Sequence, residues 1–115
     1  MTRIAIPKFQ TRVSPVLDTC SHLLLIEVDK KSELDRHQIY FDNISLDDRL
    51  NIIKNMNVDV IICCAVSEVM DKMLRAAGIQ LVCGIVGNID LVLKAYLCNK
   101  LDDACFHMPG FIVTE

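Results

Sequence analysis

The sequence has no tryptophan and few aromatic residues, with two tyrosines and four phenylalanines among 115 residues. Because single-stranded nucleic acids are bound largely by stacking bases on aromatic rings, we expect no such surface. The twelve Lys and Arg residues are scattered and the net charge is −3, whereas contact with phosphates needs clustered basic residues. The composition therefore argues against nucleic acid as a partner.

Long apolar runs are also missing, since no stretch approaches the roughly 20 residues needed to span a bilayer. Residues 1–7, MTRIAIP, lack the shape of a signal peptide because charge interrupts a short apolar run. We therefore expect a cytoplasmic chain with no membrane contact. In that compartment the six cysteines are better explained as thiols, metal ligands or redox groups than as a disulfide framework.

A strand–helix–strand–helix pattern dominates the second half of the chain. Residues 58–64 and 79–83 are apolar runs without clean alternation, as expected of strands covered on both faces of a parallel sheet. Helical patterns follow them, beginning after the capping residues Ser67 and Asn88, and the first of these helices ends at Gly78. Earlier in the chain the pattern predicts, in order, a strand over 3–6, a loop over 8–18, strands over 22–28 and 37–41, and a helix capped by Ser45.

These elements predict an α/β fold with helices on both faces of a five-stranded mixed sheet. Right-handed crossovers and a hairpin between the second and third strands give the order 3-2-1-4-5, with only the second strand antiparallel. The direction of winding reverses between the first and fourth strands. We therefore expect a ligand crevice above the carboxyl ends of those two strands.

Cysteines provide the main functional signal. The predicted topology brings Cys20, Cys64 and Cys83 to the same edge of the sheet, with Cys63 beside Cys64 and His22 nearby as an additional imidazole ligand. Thiolates are soft ligands for iron–sulfur, copper or zinc centres, so we predict Cys20, Cys64 and Cys83 as metal ligands. The alternative is that they pack as small apolar groups, which we favour for Cys63.

Four further residues complete the predicted cofactor-binding set. Lys8 and Arg12 lie in the loop above the crevice, where they could pair with an anionic cluster. Gly84 and Gly87 lie in the turn before a helix N-terminus, whose amides could hold an anion. The alternative for Lys8 and Arg12 is a solvated loop, and the alternative for Gly84 and Gly87 is an ordinary strand-to-helix turn. Two other sites, Cys98 and the Cys105-Phe106-His107 segment, are expected to be structural and incidental, respectively.

The sequence does not favour an enzyme. A two-metal nuclease needs several carboxylates at strand ends, but Asp59 lies near the start of a strand and Asp18 stands alone. No nucleophile elbow, phosphate loop or zinc-protease helix occurs. A Cys–His nucleophile pair stays open, because spatial neighbours need not be sequence neighbours.

Several segments resemble the dinitrogenase iron–molybdenum cofactor biosynthesis family, the NifX/NafY type of domain also found at the C-terminus of NifB-type proteins. The matching segments are RIAIP at 3–7, RVSP at 12–15, LIEVD at 25–29, VDVIIC at 58–63, LRAAGI at 74–79, and residues 91–101. The resemblance implies a ribonuclease H-like three-layer α/β/α fold, and we expect this domain over residues 1–101. Because the end of the chain shows no clear periodicity, residues 102–115 are expected to form a tail. The resemblance also implies binding of an iron–sulfur or molybdenum-containing cluster, with metallocofactor assembly proteins as partners.

Two loops depart from the family pattern. Members usually carry a Gly-rich, often His-containing loop before the first helix, whereas this chain has only DNIS at 42–45; the loop after the fourth strand reads CAVS at 64–67. One alternative is therefore an interaction or regulatory module that has lost the cofactor. Another is a thiol redox sensor using Cys63 and Cys64, although successive strand residues point to opposite faces and bridging them would strain the backbone.

Overall fold

The computed structural model describes residues 2–30, 32–41 and 43–98. The elements are β1 (Thr2–Phe9), β2 (Arg12–Val13), β3 (His22–Asp29), β4 (Ser32–Tyr40), α1 (Leu46–Asn55), β5 (Val60–Ile62), α2 (Glu68–Ala76), β6 (Gln80–Val82) and α3 (Ile89–Leu97). The predicted tail over 102–115, with Cys105 and His107, lies outside the described residues.

The six strands of the described residues form one mixed sheet. Five of them follow the order β4-β3-β1-β5-β6, while β2 pairs with β1 off this path. Leaving β2 aside, this is the order third, second, first, fourth, fifth of the strands expected from the sequence. Strand β3 is antiparallel to both of its neighbours, and β5 and β6 continue the sheet in parallel with β1.

The predicted count of five strands was wrong because residues 8–18 are not entirely a loop. Strand β1 continues through Pro7 to Phe9, and the chain then turns at Gln10 (φ 56°) into β2. Proline lacks only the amide donor, and the Pro7 carbonyl still accepts a 2.7 Å hydrogen bond from the Ser14 amide. Strand β1 therefore ends beyond the proline that was expected to close it.

Helices cover both faces of the sheet, with α3 on one face and α1 and α2 on the other. Successive strand residues point to opposite faces, so each buried strand contributes to two cores. The core under α3 includes Ile4, Ile6, Leu24, Ile26 and Ile62. The core under α1 and α2 includes Ala5, Leu23, Leu25, Ile61 and Leu81. The structure thus has three layers, helix–sheet–helix.

All three helices start at the predicted capping residues. The Ser45 and Ser67 hydroxyls accept hydrogen bonds from amides in the first turns of α1 and α2, and the Asn88 side chain does the same for α3. These bonds satisfy amides that have no partner within the helix. The predicted caps are confirmed.

The helical spacing of Val69, Met70, Met73 and Leu74 predicts one apolar face for α2, but the buried face is narrower. Met70 and Leu74 are fully buried, but Val69 is 56% exposed and Met73 39% exposed. The spacing indicates one continuous apolar face, whereas only Met70 and Leu74, at the centre of that face, reach the sheet. The outer two lie at the margin of the helix.

Strand β4 forms one edge of the sheet and is longer than the predicted 37–41. It pairs with β3 along nearly its whole length, yet every residue in it except the half-buried Ile39 is exposed. The exposed apolar side chains include Leu34 and Tyr40. Strand β4 is therefore held mainly by backbone pairing with β3 and only slightly by burial.

Candidate functional site

The predicted crevice is crossed by a segment of the chain itself, residues 12–17, here called the strap. It lies beside β1 beyond the end of β5, and its backbone bonds to the loops after β5 and β6. The Leu17 amide donates to the Ala65 carbonyl (2.9 Å), the Ala65 amide to the Pro15 carbonyl (3.0 Å), and the Val13 amide to the Gly87 carbonyl (2.9 Å). The strap thus runs alongside β1 past the carboxyl end of β5, in the region where the sequence predicts the ligand crevice.

The N-terminus of α2 binds an anionic group supplied by the chain. One carboxylate oxygen of Asp18 accepts the Ser67 amide at 2.8 Å, and the other accepts the Ser67 hydroxyl. A carboxylate at a helix N-terminus is stabilised by the amides and by the helix dipole. Asp18, which seemed isolated in the sequence, therefore holds the capping residue of α2 and fixes the end of the strap to it.

Removing the Asp18 carboxylate should loosen this end of the strap. We expect Asp18→Ala to lower the free energy of unfolding by about 1 kcal/mol, the usual net contribution of a hydrogen bond. Urea unfolding monitored by circular dichroism would measure it. Asp47→Ala, at an exposed position in the first turn of α1, should cost only a few tenths of a kcal/mol. An equal loss in both variants would contradict a stabilising role for the bonds between Asp18 and Ser67.

The turn before α3 is also occupied by the chain's own acceptors. The Ile89 amide donates to the Thr11 carbonyl at 2.9 Å, and the next two amides donate to the Asn88 side chain. Gly84 and Gly87 have φ of 78° and 120°, conformations that side chains other than glycine rarely adopt. These two glycines therefore have a structural reason to be present, and the helix end does not offer the free amides predicted for an anion.

The cysteines predicted as ligands separate onto different faces of the sheet. Cys20 is 3% exposed in the core under α1 and α2, and Cys64 is 8% exposed in the core under α3. Burial raises the pKa of both thiols, that of Cys20 to about 11. Cys83 lies at the end of β6 and is half-buried.

No three His, Cys, Asp or Glu side chains come together as a metal site within the described ranges 2–30, 32–41 and 43–98. The three predicted thiol ligands are thus not gathered into one set, because the alternation of strand residues sends Cys64 away from Cys20. The predicted additional ligand, His22, instead makes an edge-to-face contact with Tyr40, with ring centroids 4.9 Å apart. Cys98 caps the C-terminal end of α3 and is exposed.

Cys83 has a different partner, Cys63. The two residues follow the paired positions Ile62 and Val82 on adjacent parallel strands, and their Sγ atoms lie 3.8 Å apart within hydrogen-bond range. Cys63 is fully buried. Sequence reasoning assigned Cys63 to packing and considered Cys64 as its redox partner. Because Cys64 lies on the opposite face, the spatial pair is Cys63 with Cys83.

The hydrogen bond between the two sulfurs moves their pKa values in opposite directions. The hydrogen bond from Cys63 stabilises the thiolate of Cys83 and lowers its pKa from the ordinary 9.0 to about 7, against the effect of burial. The same bond, together with burial, raises the pKa of Cys63 well above its ordinary value. Of the nearby charges, the Asp71 carboxylate disfavours the Cys83 thiolate, and the Arg75 guanidinium that is bonded to Asp71 favours it. The pair thus contains a half-buried thiolate near neutral pH and a buried proton donor.

Arg49 is a buried charge that sequence reasoning missed. It is 7% exposed, and its guanidinium donates to the carbonyls of Cys20 (2.6 Å), Phe41 (2.8 Å) and Ile44 (3.0 Å). It also lies 5.2 Å from the centre of the Phe41 ring. No local sequence pattern indicates this burial, since an arginine on a helix ordinarily indicates a solvated face. Its role is to join the loops before β3 and before α1.

Lys8 lines a polar pocket of about 320 Å³ on the α3 side of the sheet. Its Nζ donates to the Gln38 Oε1 at 2.8 Å. Arg36, also at the pocket, forms a 2.8 Å ion pair with Asp90. Of the predicted basic pair, Lys8 reaches a pocket, whereas Arg12 is exposed on β2, where its backbone bridges to Asn88.

Neither a protein-family model nor a curated protein matches the sequence. Among helices in the described part of the chain, none has the length and apolar character to cross a membrane. The fold belongs to the class of three-layer domains with an open mixed sheet.

Solved structures share this fold. The protein PH0822 is 20% identical with a TM-score of 0.83, over 90% of this chain and 96% of its own. A Methanocaldococcus jannaschii protein provisionally named a dinitrogenase is 20% identical with a TM-score of 0.73, over 85% and 89%. A Thermotoga protein provisionally named a NifB protein is 16% identical with a TM-score of 0.69, over 100% and 99%. These identities establish a common fold, and two of the names agree with the resemblance found in the sequence.

Proposed function

We propose that the chain is a small ribonuclease H-like, NifX-like carrier of an iron–sulfur or molybdenum-containing cluster. It would bind the cluster without turnover and exchange it with metallocofactor assembly proteins. The observation that carries the proposal is the fold shared with proteins named for a dinitrogenase and for NifB. The sequence resemblance over most of residues 3–101 supports the same conclusion independently of the coordinates.

The Lys8 pocket is the site we propose for the cluster. A cluster held by three protein thiolates does not fit the described residues, because their cysteines are not grouped in threes. An anionic cluster held by charge and hydrogen bonds fits better at a pocket lined by Lys8, Arg36 and Asp90. The charge of Arg36 is shared between Glu33 and Asp90, whereas the Lys8 ammonium bonds to the neutral Gln38 side chain, so Lys8 is the main attraction for an anion. The hydroxyl of Thr11 and the amide of Gln38 add hydrogen-bonding groups.

Anaerobic reconstitution tests this function. The purified chain would be incubated with ferrous iron and sulfide and, separately, with tetrathiomolybdate, followed by desalting, metal analysis and visible spectroscopy. We expect a coloured protein with bound metal from at least one of the two sources. A colourless protein free of metal after both treatments would count against the carrier function.

Reversing the charge at the pocket should weaken cluster binding. We expect Lys8→Glu to raise the dissociation constant about tenfold, equivalent to about 1.4 kcal/mol, because the new carboxylate repels an anionic cluster. The measurement is a titration followed by the visible absorption of the cluster. Lys94→Glu makes the same change at an exposed position of α3 and should leave the affinity within about twofold. Equal losses in both variants would place the cluster elsewhere.

A second candidate is a protein-interaction module that has kept the fold and lost the cofactor. The strap across the carboxyl ends of β1 and β5 favours it, because the space where ligands bind in open α/β sheets is filled by the chain. Failure of both reconstitutions, with the fold intact by circular dichroism, is the result expected of such a module.

A further inference from the structure

We propose that Cys63 and Cys83 form an oxidisable dithiol that reacts with hydroperoxides to give an intramolecular disulfide between β5 and β6. The two Sγ atoms are already 3.8 Å apart. Both thiols are free. The proposal concerns thiol chemistry of the sheet and does not depend on the binding of a cluster at the Lys8 pocket.

The backbone places the two residues at a separation that a disulfide can span. They follow directly on the register pair Ile62 and Val82, and the Cys63 amide donates to the Val82 carbonyl at 2.9 Å. Neighbouring strands lie roughly 4.8 Å apart, inside the range of roughly 4.4–6.8 Å between the Cα atoms of disulfides. The two sulfurs must approach each other by about 1.8 Å to reach bonding distance. Rotation of the side chains together with a small shift of the strands can supply this movement.

The difference in burial between the two thiols determines which of them reacts first with the oxidant. Cys83 is half-buried and Cys63 is 0% exposed, so an oxidant from solvent meets the Cys83 sulfur first. That sulfur attacks one peroxide oxygen, the O–O bond breaks, and a sulfenic acid forms at Cys83 with release of water or an alcohol. The Cys63 sulfur then attacks the Cys83 sulfur. The S–O bond breaks, and the leaving hydroxide takes the Cys63 proton to form water. Two thiols thus lose two electrons to one peroxide.

The bond would join the positions from which the loops before α2 and α3 begin. Cys63 stands immediately before the loop that contains Ala65, and Cys83 immediately before the turn that contains Gly87. Both of those residues are bonded to the strap through their carbonyls. Oxidation would therefore fix the spacing of the two loops that hold the strap.

Peptide mapping after peroxide treatment tests the proposal. The reduced full-length chain would be treated anaerobically with one equivalent of hydrogen peroxide, alkylated and digested. We expect the loss of two alkylatable thiols per chain, a mass lower by two hydrogens, and a linked peptide pair containing Cys63 and Cys83. Cys98→Ser, which removes an exposed cysteine, should give the same linked pair.

Two variants separate the dithiol from unspecific oxidation. Cys83→Ser should abolish the linked pair. Cys63→Ala should stop the reaction at a sulfenic acid on Cys83 that dimedone traps. Persistence of both thiols in alkylatable form after peroxide, or linkage of either one mainly to another cysteine, would overturn the proposal. Because the parent chain and the half-buried Cys83→Ser variant decide the outcome, the test holds even if Cys63→Ala fails to fold.

Discussion

Arg49→Met is expected to lower the free energy of unfolding by about 3 kcal/mol, the largest stability effect of any substitution considered in this protein. The guanidinium of Arg49 is buried and donates to three backbone carbonyls, those of Cys20, Phe41 and Ile44. Hydrogen bonds from a charged donor contribute about 1.5–3 kcal/mol each, and carbonyls left buried without a donor add the cost of their desolvation. Methionine fills much of the volume but offers no donor.

Urea unfolding of parent and variant measures the loss. Lys54→Met is a matched control, since Lys54 lies on the same helix at an exposed position and should change the stability by less than about 0.5 kcal/mol. Arg49→Lys should fall between the two, because an ammonium group cannot reproduce the planar fork of donors. A loss below about 1 kcal/mol for Arg49→Met would show that the three carbonyls find other donors.

Cys63→Ala should slow the alkylation of Cys83 at pH 7 by roughly five- to tenfold. In the parent, the bond from Cys63 lowers the Cys83 pKa to about 7, so the alkylation rate rises with pH through a midpoint near 7. Without that donor, the pKa should return toward its ordinary 9.0, and the thiolate fraction at pH 7 should fall roughly fiftyfold. The thiolate that remains is more nucleophilic because its pKa is higher, which offsets part of the loss.

Iodoacetamide labelling with mass-spectrometric assignment of the Cys83 peptide gives the pH profile. The midpoint should move upward in Cys63→Ala and stay in place in Cys98→Ala, where the change lies at the far end of α3. A profile for Cys63→Ala that coincides with the parent would mean that Cys63 does not donate to Cys83.

The helices could be predicted well because their ends are specified locally. Ser45, Ser67 and Asn88 each offer a side-chain acceptor one residue before an amphipathic stretch, and Gly78 follows the end of α2. The central strands were equally clear, since burial on both faces requires continuous apolar runs. By contrast, β2 has only two residues, one of them an arginine. Its pairing depends on the turn at Gln10 and on the strap, which the local pattern does not reveal.

The site was harder to predict because it depends on which face of the sheet each side chain lies on. The topology correctly brought several cysteines to the carboxyl edge, but it did not resolve their faces. Successive residues of a strand point to opposite faces of the sheet. Cys64 therefore lies on the other face from Cys63 and Cys83. The same limit applies to Arg49, since burial of one polar residue on an otherwise solvated face depends on the loops that fold over it.

Strand β4 has a consequence for aggregation. A nine-residue edge strand presents unpaired backbone groups to which another chain could add a strand. Its side chains oppose this, because Arg36 is held between Glu33 and Asp90 and Asp35 pairs with His37, so an incoming strand would have to desolvate a row of charges. The polarity that made most of β4 hard to recognise in the sequence is thus also a feature that disfavours addition of a strand from another chain.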